Sequence, residues 1–165
     1  VQMQMESSSE ESIASVQLDF NSGEKFNLEF ISSSGESQVP WVIHRAPLGS
    51  HERFIAMLLE YFGGQLPGWL CPVQVYLLPI SDDQHEFANK LVNQLKENNI
   101  RVVLDQNSGS LSKRILFAHK LRPFVKIVIG EKEVSSGNLV LQLRDGVKNV
   151  SLANVVSEIE LLLAK

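Results

Sequence analysis

The chain reads as an α/β protein in two parts, an antiparallel segment followed by a three-layer α/β domain on a mixed sheet, and three observations predict this. Apolar and polar residues alternate over 16–20 and 26–30, the period of strands with one wet face. Beyond residue 72 the pattern changes to nearly continuous apolar runs separated by amphipathic stretches of helix length, as in a sheet covered on both faces. Between the two, Gly63-Gly64 and Pro67-Gly68 break any regular element, so 63–72 reads as a linker.

Taken in order, residues 1–12 are predicted to be disordered, because Ser7-Ser8-Ser9-Glu10-Glu11-Ser12 offers too little apolar area to offset the cost of ordering it. Strands follow at 16–20, 26–30 and 39–43, joined by the turns Asn21-Ser22-Gly23-Glu24 and Ser32-Ser33-Ser34-Gly35-Glu36, and they form a meander. Ser50 caps a helix over 52–61. Three short strands and one helix make a poor independent core, so this part reads as the edge of a larger sheet. The second part predicts a strand at 73–80, a helix at 84–98 with Phe87, Leu91, Val92 and Leu95 as its stripe, and a strand at 100–104. A helix at 111–121, strands at 124–129 and 139–143, and a terminal helix at 152–164 complete it. Helices of that length permit right-handed crossovers, hence a parallel βαβαβ core. The expected divisions are a disordered arm at 1–12, one domain segment at 13–71 and another domain at 72–165.

Composition narrows the classes. No apolar run approaches the roughly 18 residues of a membrane span, so a membrane protein is not expected. A single cysteine, Cys71, excludes an internal disulfide and reads as a buried thiol. Residues 1–72 hold 3 basic and 9 acidic side chains (3 − 9 = −6), whereas 73–165 hold 12 and 10 (12 − 10 = +2). Lys113, Arg114, Lys120, Arg122 and Lys126 follow one another with no acidic residue among them, a surface suited to a phosphate backbone or simply to water.

The most informative stretch is His44-Arg45-Ala46-Pro47-Leu48-Gly49-Ser50-His51-Glu52-Arg53-Phe54, where a charged turn stands ahead of an apolar helix. It resembles the third signature motif of class II aminoacyl-tRNA synthetases of the threonyl type. Val16-Gln17-Leu18-Asp19-Phe20 looks like the preceding strand, the run from Trp69 to Ile80 like the entry into the anticodon-binding domain, and Gly130-Glu131-Lys132-Glu133-Val134, Gly137 and Arg144-Asp145 lie at matching spacing. The resemblance implies a C-terminal part of the catalytic domain, with the third motif, at 13–71 and an anticodon-binding domain at 72–165.

Local chemistry and resemblance divide on several residues. A strand-end histidine is ordinarily hydrogen-bonded and structural; the resemblance makes His44 one of three protein ligands of a zinc that selects threonine over valine, the other two lying outside this sequence. Arg53 in a helix's first turn opposes the dipole, which points to a partner; the resemblance makes that partner ATP. Gln17 and Ser50 match residues lining the aminoacyl-adenylate pocket, although a strand glutamine and an N-cap serine explain them locally. His51, His85 and His119 read as surface or structural, and Trp41 and Trp69 as packing aromatics.

In the second domain Lys113 and Arg114 are expected to meet the RNA backbone, and Glu133 and Arg144 to read bases. The chain departs from the family where Asp105-Gln106-Asn107-Ser108-Gly109 replaces an arginine-bearing run and Gln142 replaces the first arginine of an Arg-x-Arg pair. Glutamine cannot reproduce the guanidinium fork. The expectation is part of a threonine-tRNA ligase that uses ATP, threonine and tRNA(Thr). The parent would carry Zn2+, dimerise through regions outside this chain, and be cytoplasmic or organellar; the isolated chain would be inactive. The alternative is a noncatalytic RNA-binding or accessory protein built from the same domain.

Overall fold

The computed structural model describes residues 2–4 and 10–164 and divides into two compact units, Val1–Gly64 and Gln65–Lys165. In the first, β1 (Gln2–Gln4) pairs antiparallel with β2 (Glu10–Ser12), and β3 (Ser15–Asp19) pairs with a later strand at Val42–Ala46. The disorder expected over 1–12 is therefore replaced, at its described residues, by a strand pair; residues 1 and 5–9 lie outside the described ones. Backbone pairing satisfies the N–H and C=O groups of polar residues without any apolar core.

The expected strand at 26–30 is largely absent. Asp19 Oδ1 accepts the N–H groups of Asn21 (2.8 Å) and Ser22 (2.9 Å), which starts α1 (Ser22–Lys25). Asn27 then turns the chain at a φ of 50°, leaving only β4 (Phe30–Ile31), paired with β5 (Ser37–Gln38). The strand at Val42–Ala46 is β6, and α2 (His51–Tyr61) follows it. Side-chain alternation gives the β3–β6 pair two unlike faces. Val16, Leu18 and Ile43 lie on one, all exposed; Gln17, Asp19 and His44 lie on the other. Trp41 meets Phe20 edge-on at 5.1 Å but stays 69% exposed, and Trp69 in the second unit is 61% exposed, so neither is the packed aromatic expected.

The second unit is built on one mixed sheet. Its strands are β7 (Val75–Pro79), β8 (Val102–Leu104), β9 (Val125–Ile129), β10 (Asn138–Leu143) and β11 (Gly146–Ser151), in the spatial order β11-β10-β9-β7-β8. β7 pairs parallel with β8 and β9, while β10 runs antiparallel to both β9 and β11. The helices are α3 (His85–Glu97), α4 (Leu111–Leu121), the short α5 (Glu131–Ser136) and α6 (Val155–Leu163). Neither α5 nor β11 is expected from periodicity. The crossovers from β7 to β8 and from β8 to β9 run in opposite directions across the sheet, so a constant hand puts α3 and α4 on opposite faces. On one face Val75, Leu77, Ile127, Ile129 and Leu141 pack with Leu91 and Leu95 of α3 and Val155 and Ile159 of α6. Truncating one of these, such as Leu77→Ala, costs about 2–5 kcal/mol. On the other face the cover is thinner, Tyr76 and Leu78 packing with Ala118 of α4.

The stretch read as a linker is stitched into this unit. The Arg101 guanidinium donates to the carbonyls of Trp69 (2.7 Å) and Cys71 (2.9 Å), Gln74 Nε2 donates to the Gly68 carbonyl (3.0 Å), and Arg144 Nη1 to that of Leu66 (2.7 Å). These bonds explain why the units divide at Gly64 and not at residue 71. Cys71 is buried, with its thiol directed at the Val73 carbonyl (3.2 Å).

Candidate nucleic-acid interface

Because α4 covers only part of its face of the sheet, the outward residues of β9 and β10 form the floor of an open groove. Alternation decides which they are: Ile127 and Leu141 point into the core, while Lys126 and its register partner Gln142 point outward, followed by Arg144. His119 and Arg122, at the end of α4, make one wall, and the turn Asp145-Gly146 makes the other. The groove encloses about 680 Å³ and carries three basic side chains, Arg122, Lys126 and Arg144, against one carboxylate, Asp145.

Each cation is held. Lys126 Nζ lies 3.1 Å from His119 Nε2, and partial burial pushes its ammonium pKa below the usual lysine value. Arg122 takes the left-handed conformation at φ 47° that ends α4. The Arg144 guanidinium stacks over the Phe124 ring at 5.7 Å, with Nη1 on the Leu66 carbonyl. Its Nη2 is buried without a partner among the described residues, which is costly for a charged donor. A groove with fixed cations, an aromatic ring under a guanidinium and an amide at Gln142 is suited to phosphates and to base edges.

The other expected RNA-contacting residues are placed differently. Lys113 is exposed on the first turn of α4. The Arg114 side chain is only 11% exposed, with Nε donating to Asp105 Oδ2 at 2.6 Å and Nη2 to the Pro79 carbonyl at 2.6 Å. Glu133 Oε2 accepts the Gly130 N–H at 2.9 Å, closing the first turn of α5, so its carboxylate has a local structural bond beside any role toward a base. The sequence places Arg122 and Lys126 on the basic surface from Lys113 to Lys126 without singling either out, and His119 reads from it as surface or structural. The signal for Lys126 was one charge inside the apolar strand Val125-Lys126-Ile127.

In the first unit, Gln17 and His44 are direct cross-strand partners on the polar face of β3–β6. His44 Nε2 lies 2.9 Å from Asp19 Oδ2. Asp19 also accepts the Ser22 hydroxyl at 2.5 Å; the Ser22 hydroxyl first, then His44 and the neighbouring amides, hold its carboxyl well below the usual carboxylate range. Ser50 Oγ accepts the Arg53 N–H at 3.3 Å as the N-cap, and Arg53 is exposed in the first turn of α2. Among the described residues no three His, Cys, Asp or Glu side chains gather as a metal would require. His44 with one carboxylate does not make a zinc site. Among the described residues, no helix is long and apolar enough to cross a membrane.

Comparison with known proteins places this geometry. The sequence is 46% identical over 136 residues to a threonine–tRNA ligase catalytic subunit of Sulfurisphaera tokodaii, covering 82% of this chain and 25% of the relative. It is 39% identical over 155 residues to the corresponding protein of Saccharolobus islandicus, covering 93% of this chain and 28% of the relative. The chain thus spans about a quarter of the length of these curated relatives. Among solved structures, the RNA binding domain of threonyl-tRNA synthetase from Cryptosporidium parvum superposes with a TM-score of 0.78 at 29% identity, over 98% of this chain and 41% of that one. A prolyl-tRNA synthetase from the same organism has a TM-score of 0.78 at 21% identity, over 94% of this chain and 34% of that one, a likeness of fold alone. Residues 74–161, running from the entry into β7 through most of α6, match the family described as the anticodon binding domain, and this protein belongs to that family.

Proposed function

We propose that the chain is part of a threonine–tRNA ligase, with its second unit binding the anticodon region of tRNA(Thr). One observation carries this: similarity to threonine–tRNA ligase catalytic subunits runs through both units, over 155 residues in one relative. The basic groove supports the RNA half of the reading. Its cations release counterions from the phosphate backbone, which supplies affinity, while Gln142 and Arg144 offer hydrogen bonds to base edges, which supply selection. Glu133 stands as a further base-reading candidate and Lys113 as a backbone contact.

In the complete enzyme the first unit would contribute the third motif. Arg53 would neutralise ATP phosphates, and Gln17 and Ser50 would line the adenylate pocket; the Ser50 N-cap bond would serve to hold Arg53 in place. The threonine carboxylate attacks the α-phosphate of ATP, releasing pyrophosphate and forming threonyl-adenylate, and a terminal tRNA hydroxyl then attacks the acyl carbon, releasing AMP. These steps depend on orientation and charge stabilisation. Zinc selection of threonine, to which His44 would contribute one ligand, and dimerisation would both need residues outside this chain. The noncatalytic alternative draws on Gln142, where the family carries arginine.

The test is a titration of the 165-residue chain with tRNA(Thr) and with a noncognate tRNA at several salt concentrations. The expected result is preference for tRNA(Thr), lost on Arg144→Gln, and a log–log salt slope that falls by about 0.7 on Lys126→Gln. Equal binding of both tRNAs, unchanged by either substitution, would remove the anticodon role. Supplying the missing catalytic portion as a separate polypeptide separates the two readings: restored threonylation supports the ligase, and none supports the accessory protein.

A further inference from the structure

We infer that Arg114 is a positioning residue that locks the loop at 106–110 and the start of α4 onto the sheet, and that it does not itself touch RNA. The inference rests on the RNA reading above and assigns Arg114 a role different from the backbone contact its charge suggests. Asp105 directly follows β8; its side chain is fully buried, and its N–H donates to the Leu77 carbonyl of β7 at 2.8 Å. Its carboxylate gathers Tyr76 Oη (2.6 Å), Asn107 Nδ2 (2.6 Å) and Arg114 Nε (2.6 Å). Arg114 reaches on to the carbonyls of Pro79 (2.6 Å) and Ile80 (3.3 Å), where β7 ends. One guanidinium thus joins the end of β7, the end of β8 and the first turn of α4.

The local sequence gives that helix start little other support. Ser110 occupies the N-cap position but makes no side-chain cap, no acidic residue lies in the first turn, and Gly109 precedes it at a φ of 130°. Without Arg114, the first turn of α4 would be held to the sheet mainly by its backbone bonds and the packing of Leu111 and Ile115. Lys113, one residue before Arg114, shares that turn and points outward. An exposed cation is useful to a phosphate only if its backbone is fixed, and here the fixing group is its buried neighbour.

The experiment uses the full chain, tRNA(Thr) and the isolated anticodon stem-loop, with affinity measured across salt concentration and amide exchange read in parallel. Arg114→Gln is expected to weaken binding about tenfold and to lower the salt slope by up to about 0.7 as Lys113 loses its fixed position, while the amides of 106–113 lose protection and those of Leu77 and Ile127 keep it. Lys113→Gln is expected to lower the slope by about 0.7 as well, but with exchange unaltered. Asn107→Ala removes the loop's side-chain tie and spares the buried ion pair, so it folds; it is expected to reproduce the Arg114→Gln pattern in weaker form. A slope lowered by Arg114→Gln with the loop still protected would make Arg114 a direct phosphate contact and overturn the inference. So would an Asn107→Ala chain with unaltered exchange and affinity. Wild-type chain that binds neither RNA would overturn the RNA reading itself, a result distinguishable from both.

Discussion

Tyr76→Phe tests how much of the second unit's stability lies in one buried hydroxyl. The ring is 1% exposed between the sheet and α4, and its oxygen donates to Asp105 at 2.6 Å. Burial first, and then the Asp105 hydrogen bond, raise the phenol pKa above its ordinary value, so the hydroxyl remains a donor throughout the working range. Phenylalanine keeps the ring and leaves no cavity, while Asp105 retains Asn107 and Arg114. The loss is one hydrogen bond to a charged group, about 1.5–3 kcal/mol, together with the long 3.5 Å bond that the hydroxyl accepts from Asn107 Nδ2. With a urea dependence of about 1–3 kcal/mol per molar, the midpoint falls by about 1 M. The assay is urea unfolding followed through the amide signals of Leu77 and Ile127, which report this unit alone. Its pH dependence carries a sign. Burial would raise the Asp105 pKa, but the bonds from Tyr76, Asn107 and Arg114 outweigh it and hold the carboxyl low. The stabilisation is therefore complete above the unfolded value of about 4 and fades as pH falls through the folded one. The gap between wild type and Tyr76→Phe should be constant above about pH 5 and shrink below pH 4. A midpoint change under about 0.3 M, or a gap that widens in acid, would refute the account.

Two glycines should respond unequally to alanine. A Cβ at Gly68 meets the Leu163 backbone and the Phe124 ring, both at 3.1 Å, so Gly68→Ala should cost about 1–3 kcal/mol in thermal or urea unfolding. At Gly130 the nearest atom, at 2.9 Å, is the tip of the Ile80 side chain, which can rotate away, and the same substitution should cost under about 1 kcal/mol. In the first unit, carboxyl NMR titration should find the Asp19 pKa raised more by Ser22→Ala than by His44→Asn, because the serine hydroxyl is its strongest partner. The opposite ranking would make His44 the group that controls Asp19.

The second unit was legible because its signals are periodic. Alternation and helix stripes marked α3, α4 and the strands β7 to β10, and α4 was bounded correctly at Leu111 and Leu121. α5 and β11 were not visible, since Glu131–Ser136 is too short to show a stripe and Gly146–Ser151 is largely exposed and polar, held by pairing to β10. The first unit misled where a turn competed with alternation: Phe26, Leu28 and Phe30 alternate, but the Asp19 carboxylate bends the chain before a strand can form. At the candidate site, residue types were easier to read than directions. That Arg114 is basic is plain in the sequence; that it points at Asp105 depends on a loop whose closure brings them together. Lys126, Gln142 and Arg144 converge only because β9 and β10 pair in one register, information that resides in no single segment.

That register also separates two kinds of change. Along β9 and β10, residues that hold the fold and residues that face the groove occupy alternate positions, so Ile127 and Leu141 can stay constant while Lys126 and Gln142 vary. On the RNA reading proposed above, a substitution on the groove side would alter which nucleic acid is preferred without removing an atom from the core. Such a sheet can therefore acquire a new preference by single steps, each leaving a folded protein. Gln142 is one such position, and exchanging it for arginine should alter recognition with little effect on melting.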